Sequence, residues 1–516
     1  MKIHLIFISA SFVLFLAVPA ADAYSPGDAI LLNCGASGPD SDLDGRSWIG
    51  DASGSKYAIS SSGATSFSAQ RQASSVPRVP YLTALVFTSP FTFSFTLPDA
   101  GRIFLRLHFY PSNYSHHAGP DAFFSVTAGD HTLLHDFSAY LAAEALNFPY
   151  VVREFSLNVS SGGVNLTFTP SAARNNSFAF VNGIEIVPIP DIFRSERGPL
   201  LIHGGNPVEL EFDPAQALET MYRLNVGGQA ITPARDPALF RYWEDDSLYI
   251  RGAAFGVSFS KDPNVSIEYS SRLTNYTAPE EVYSTARSMG LNAQINLNYN
   301  LTWILPVDAG FYYLVRLHFC EIQYPITKTN QRVFEIFLNN LTAETYADVI
   351  AWSGGIGVPA YREYVVIAMG SERMDLWVAL HPNPRSRPEY YDAILNGLEV
   401  FKLENFRKSL AGPNPVPPPQ RAADSNGHRR TRKREDGIPS GVVVGGMVGL
   451  GFVITVAVFV IGKFKDEVLS AVLAGERSSS VAESAARWWR EGALRREVDL
   501  LAKGESGNSE VDPLRS

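Results

Sequence analysis

The sequence predicts a mainly β protein: two tandem β-sandwich domains followed by a single transmembrane helix. Three observations carry that expectation. Apolar and polar residues alternate, as in Ile103-Phe104-Leu105-Arg106-Leu107-His108-Phe109, where Ile103, Leu105, Leu107 and Phe109 share one face and Arg106 and His108 the other. Short β-branched and aromatic runs of this kind recur, separated by Gly, Pro, Asn and Ser. A repeat of roughly 200 residues ties the first half of the chain to the second.

Composition bounds the rest. The 516 residues allow two to four domains at about 100–200 residues each, and 46% apolar content is ample for their cores. A net charge of -9 argues against a nucleic-acid protein, which would be basic. Two cysteines, Cys34 and Cys320, exclude a disulfide-dense scaffold and a four-cysteine zinc site. No cofactor and no metal site is expected.

Taken in order, residues 1–23 read as a secretory signal peptide: Lys2 and His4, an apolar run over 5–18, then Ala21-Asp22-Ala23 as a small-x-small cleavage site. The first domain spans 28–188, a connector 189–208, and the second domain 209–401. The repeat defines them. Arg106-Leu107-His108-Phe109 returns as Arg316-Leu317-His318-Phe319, and Arg153-Glu154-Phe155 as Arg362-Glu363-Tyr364. Asn182-Gly183-Ile184-Glu185 returns as Asn396-Gly397-Leu398-Glu399, Asn33-Cys34-Gly35 as Asn225-Val226-Gly227, and Arg46-Ser47-Trp48 as Arg241-Tyr242-Trp243. The clearest helix signal is at 213–222, with Asp213 as cap and Pro214 in the first turn.

Residues 402–437 form a juxtamembrane linker. Five prolines within 413–419 make a semi-rigid spacer, and five Arg or Lys within 428–434 make a basic collar. The stretch 438–462 carries no charge, and its central twenty residues, 442–461, span about 30 Å as a helix, the hydrocarbon thickness. Gly441, Gly445 and Gly449 fall on one helix face, a spacing that suits homo- or hetero-dimeric pairing. The basic collar opposes the positive-inside rule, but a cleaved signal sets a type I topology with the N-terminus outside. Eight N-x-S/T sequons agree: Asn113, Asn158, Asn165, Asn175, Asn264, Asn275, Asn300 and Asn340 all precede the membrane segment.

Several motifs carry a family resemblance. Ala217-Leu218-Glu219-Thr220-Met221-Tyr222-Arg223-Leu224-Asn225-Val226-Gly227-Gly228, Arg241-Tyr242-Trp243-Glu244-Asp245-Asp246, Val282-Tyr283-Ser284-Thr285-Ala286-Arg287 and Tyr391-Asp392-Ala393-Ile394-Leu395-Asn396-Gly397-Leu398-Glu399-Val400 resemble a malectin-like domain. With the signal and the single membrane helix, residues 24–462 look like the FERONIA/THESEUS-type receptor-like kinases of plants. The resemblance implies a plasma-membrane glycoprotein of the plant cell surface. It also implies peptide signalling, with a RALF-type peptide or cell-wall polysaccharide as ligand and a GPI-anchored co-receptor as partner. Such relatives carry a Ser/Thr kinase. The 54 residues 463–516 contain no glycine-rich loop, His-Arg-Asp or Asp-Phe-Gly, so no enzymatic activity is expected of this polypeptide, which reads as a kinase-less co-receptor, decoy or truncated form. The alternatives are a structural wall-to-membrane tether and a secretory-pathway lectin for N-glycans.

No catalytic residue is expected. Arg106 with His108, and Arg316 with His318, read as structural pairs on an outer sheet face. Asp245 and Asp246 are adjacent on a strand, so they point to opposite faces and cannot flank one glycosidic bond. Carbohydrate binding draws on aromatic faces and a few polar groups. By resemblance to malectin, Tyr283 and Asp392 occupy lectin-site positions in the second domain. Tyr81 matches Tyr283 in the first, whereas Phe178 stands where Asp392 would be. Cys34, opposite Val226, reads as a small buried residue, with an inter-domain disulfide to Cys320 as the other reading in an oxidising compartment.

Overall fold

The computed structural model describes residues 24–417, apart from 52–56, 60–62, 161, 194–197, 252–254, 271–272 and 371–372. The expected signal peptide, basic collar, membrane segment with Gly441, Gly445 and Gly449, and tail lie outside the described residues. Among the described residues no helix is long and apolar enough to cross a membrane.

The protein is mainly β. Its backbone is a long sheet to which both halves of the chain contribute. Its central strands are β1 (Gly101–Phe109), β2 (Val151–Val159), β3 (Gly183–Ile189), β4 (Leu218–Asn225), β5 (Tyr312–Phe319), β6 (Ala360–Ile367) and β7 (Gly397–Leu403). They lie side by side in the order β6-β5-β7-β4-β2-β1-β3. The halves meet where β2 pairs antiparallel with β4, Glu154 opposite Thr220 and Ser156 opposite Leu218. Against the first half packs a five-stranded sheet of which Phe91–Phe95, Phe124–Ala128, His131–Phe137 and Val164–Pro170 are members. Against the second half packs another, built around Leu301–Asp308, Phe334–Leu338, Leu341–Ala347 and Arg373–Pro382.

Each lobe thus encloses its own core. Ile103, Leu105, Leu107 and Phe109 enter the first, beside Phe87 and Phe91, whose rings stack at 4.4 Å. Trp303, Tyr313, Val315 and Leu317 enter the second. Burying one such side chain stabilises the fold by about 1.5–3 kcal/mol, so period-2 alternation fixes which face turns inward.

Three expectations are corrected. The second face of the long sheet is not an outer face near the seam. Phe104, Val187, Leu314, Val365 and Phe401 on it form a third cluster, roofed by Ile192, Phe193 and Leu239. Arg106, His108, Arg316 and His318 are therefore buried. The stretch 189–208 is more than a connector. Leu200–Ile202 pairs in parallel with β6, Leu200 opposite Tyr364, and extends the sheet. The helix expected at 213–222 is a single turn followed by β4. Asp213 does cap that turn, its carboxylate accepting the amide of Ala215 at 2.8 Å. From Leu218 onward, pairing with β2 and β7 outweighs local helix preference. A helix the alternation did not suggest, α1 (Ala139–Leu146), starts at the cap Ser138 and ends at Asn147, which adopts φ 54°.

Candidate functional site

The repeated motifs converge on two copies of one buried cluster. In the first lobe the Tyr81 hydroxyl lies 2.8 Å from His108 Nδ1, and His108 Nε2 lies 2.9 Å from Glu185 Oε1. In the second, Tyr283 meets His318 Nδ1 at 2.8 Å, and His318 Nε2 meets Glu399 Oε2 at 3.1 Å. Trp48 and Trp243 set an edge against the two imidazoles at 5.4 and 5.6 Å.

The neighbouring motif residues explain themselves. The carboxamide oxygens of Asn182 and Asn396 accept the amides of Tyr110 and Cys320, while their nitrogens donate to the carbonyls of Thr83 and Thr285. A Cβ on Gly183 would stand 3.0 Å from Trp48, and one on Gly397 2.6 Å from Val282. Gly35 and Gly227 adopt φ +82° and +73° where a Cβ would strike the Ala84 and Ala286 carbonyls.

An unbroken chain of charges links the two clusters. Arg46 pairs with Glu185 at 2.8 Å, Glu185 with Arg106 at 3.2 Å, and Arg106 with Glu154 at 2.6 Å. Glu154 then pairs across the seam with Arg223 at 2.8 Å, Arg223 with Glu399 at 2.8 Å, Glu399 with Arg316 at 3.5 Å, and Arg316 with Glu363 at 2.7 Å. Four guanidinium groups alternate with four carboxylates, so each charge is compensated within the chain. Carbonyls from the second lobe and from the stretch between the lobes cap the chain. Arg106 donates to the Leu239 carbonyl at 2.9 Å, and Arg316 to that of Ile192 at 2.7 Å. On the opposite face of the seam a second chain runs Arg153–Glu219–Lys402–Asp308, with contacts of 2.5, 2.7 and 2.8 Å.

Burial on its own would raise the Glu154, Glu185 and Glu399 carboxyls. The guanidinium charges, and the histidine hydrogen bonds at the latter two, outweigh it; Glu154 falls to about 2 and the others lie below the usual carboxylate range. Burial lowers His318, and it pushes Tyr81 and Tyr283 well above the ordinary tyrosine value. A neutral His318 satisfies both contacts, accepting from Tyr283 and donating to Glu399. The arrangement fixes conformation and offers no group to solvent.

This placement bears directly on the expected ligand residues. Tyr81 and Tyr283 are interior, so neither ring can stack on a sugar arriving from solvent. Asp392 is also buried. It accepts the amides of Met289 and Ala393 at 2.8 Å and pairs with Arg332 at 3.0 Å, which reaches Glu321 at 2.6 Å. Tyr283 and Asp392 therefore sit in separate networks, and Phe178 belongs to the first core. Asp246 is buried under Arg287 and Trp303, while Asp245 bonds Ser247 in an exposed turn. Cys34 and Cys320 are free and lie in different clusters, which removes the inter-domain disulfide. All eight sequon asparagines are exposed.

The alternation did not reveal the exposed apolar side chains. Phe148 and Val152 of the first lobe, and Tyr242 of the second beside Glu244 and Asp245, are exposed near the seam. Phe255, Val257, Leu291 and Ile295 are exposed on the second lobe, where Val257 pairs with Ser288. A single apolar side chain in a loop or at the end of a strand carries no periodic signal, so only the fold could show these. Among the described residues no group of His, Cys, Asp and Glu could hold a metal ion.

Comparison with known proteins gives a consistent result. The malectin-like domain model matches residues 32–403. The receptor-like protein kinase FERONIA of Arabidopsis thaliana is 48% identical over 447 residues, covering 86% of this chain and 50% of that protein. ANXUR2 of the same plant is 40% identical over 429 residues, covering 82% and 48%. A crystal structure of the receptor-like kinase FER matches with a TM-score of 0.70 at 49% identity, covering 76% of this chain and all of that one. A structure of the peptide RALF23 in complex with FER and LLG2 also matches, with a TM-score of 0.70 at 50% identity, again covering 76% and 100%. The chain spans about half the length of the curated relatives it matches.

Proposed function

This chain belongs to the malectin-like domain family, and from that premise we propose that it is a type I plasma-membrane receptor whose ectodomain binds a RALF-type secreted peptide together with a GPI-anchored co-receptor. The observation that carries this reading is the match to a FER ectodomain structure that contains RALF23 and LLG2. Charge agrees with it. Residues 24–401 hold 24 basic and 37 acidic residues, a balance of -13, which steers a basic peptide inward and repels polyanionic pectin. The interior positions of Tyr81 and Tyr283 weigh against the lectin reading. By sharing the peptide with other receptors of this family, the protein would act as a co-receptor or decoy.

Residues 24–417, titrated with a synthetic RALF-type peptide with and without an LLG-type protein, and separately with oligogalacturonides, test this. The expected result is peptide binding that the LLG-type protein strengthens and that weakens with salt. Pectin binding without peptide binding would replace the receptor by the wall tether.

A further inference from the structure

After β7 the chain does not leave the molecule at the second lobe. Residues 404–414 cross back over the seam and lie along the strand His131–Phe137 of the first lobe. The Thr132 amide donates to the Lys408 carbonyl at 2.8 Å, and the Leu410 amide to that of Thr132 at 2.9 Å. Leu410 is buried in the first core, and its carbonyl accepts Lys402 Nζ at 2.8 Å. Gly412 passes so close to Asp308 that a Cβ would stand 2.1 Å from its carboxylate. Asn414 closes the run, accepting the Ser138 amide at 2.8 Å and donating to the Asp136 carbonyl at 2.7 Å.

One ionisable cluster holds the start of this segment. His131 Nδ1 lies 2.7 Å from Glu404 Oε2, and His131 Nε2 lies 3.4 Å from Asp130 Oδ1. Glu404 also accepts the Ala217 amide at 3.0 Å, and Lys408 pairs with Asp130. The charged groups facing His131 are thus Asp130 on its own turn and Glu404 and Lys408 on the returning segment. A protonated ring joins two carboxylates; a neutral ring leaves both facing it, with Lys408 and, at Glu404, the Arg102 guanidinium as the compensating cations.

We propose that residues 404–414 form a proton-dependent clasp that fastens the membrane-proximal end of the ectodomain to the first lobe, closed while His131 is protonated and loosened when it is neutral. The hydrogen bond to Glu404 raises His131 above its ordinary value, and burial opposes this only in part. A raised histidine stabilises the closed state fully below its unfolded value, near pH 6.5, and that contribution is lost as pH rises through the folded value.

Hydrogen exchange on the full chain in detergent micelles, corrected for the intrinsic rate at about pH 5.5 and about pH 8, reads the clasp directly. Protection of 404–414 should fall severalfold, up to about tenfold, across that range, while that of β1 stays constant. His131→Gln should abolish the step. Lys408→Met, a second variant away from the core, should move its midpoint to higher pH by removing the cation nearest the ring. The proposal is overturned if wild-type protection has no step, if His131→Gln keeps it, or if Lys408→Met lowers its midpoint.

Discussion

Arg223 is the residue on which the charge chain depends, because within that chain it joins a carboxylate of the first lobe to one of the second. Replacing it with Ala strands Glu154 and Glu399 in a buried site, so Arg223→Ala should cost about 3–5 kcal/mol in urea unfolding. Arg223→Lys should recover only part of this, since one ammonium cannot reproduce the guanidinium fork. The carboxylates also set the acid response. Glu154 lies at about 2, below its unfolded value, so its contribution is present above about pH 4.5 and is lost as pH falls through about 2. A titration of thermal stability should therefore show a plateau through mildly acidic pH, and Glu154→Gln should lower that plateau. The sequence placed Arg106 with His108 on one face, because period 2 is local. It could not show the cover over that face, because Leu239 and Ile192 come from distant segments.

At the scale of elements, alternation predicted β1 and the repeat carried it to β5: Ile103, Leu105, Leu107 and Phe109 enter the first core and Val315, Leu317 and Phe319 the second, while Phe104 and Leu314 turn to the third cluster. β4 was illegible for the opposite reason: its residues serve the seam. Glu219 faces the second charge chain and Arg223 the first, so neither a helical nor a clean strand period survives. The depth of the expected ligand residues was illegible on the same ground. A tyrosine and an aspartate at motif spacing say nothing about depth, and both tyrosines proved to be hydrogen-bonded fillers beneath the loops. Tyr283→Phe should therefore leave glycan binding unchanged and cost about 1–2 kcal/mol, the loss of one buried hydrogen bond. Gly397→Ala should cost about 1–3 kcal/mol through its clash with Val282, read as a lowered urea midpoint at unchanged slope.

For the whole molecule, the shared sheet predicts joint unfolding. β2 and β4 pair through the backbone, charge chains cross the seam on both faces, and the third cluster draws side chains from both halves. Calorimetry should show one transition over residues 24–417, and Phe93→Ala in the first core or Trp303→Ala in the second should shift that same transition. Two separate peaks would show that the lobes unfold independently. The returning segment has a mechanical consequence as well. A pull on residue 417 reaches the first lobe through Asn414 and Leu410 before it reaches the second through β7. Were the chain to exit straight from β7, the same pull would reach the first lobe only through the seam. Traction on the linker therefore falls first on the clasp, and the joint between the lobes takes the load only once the clasp has yielded.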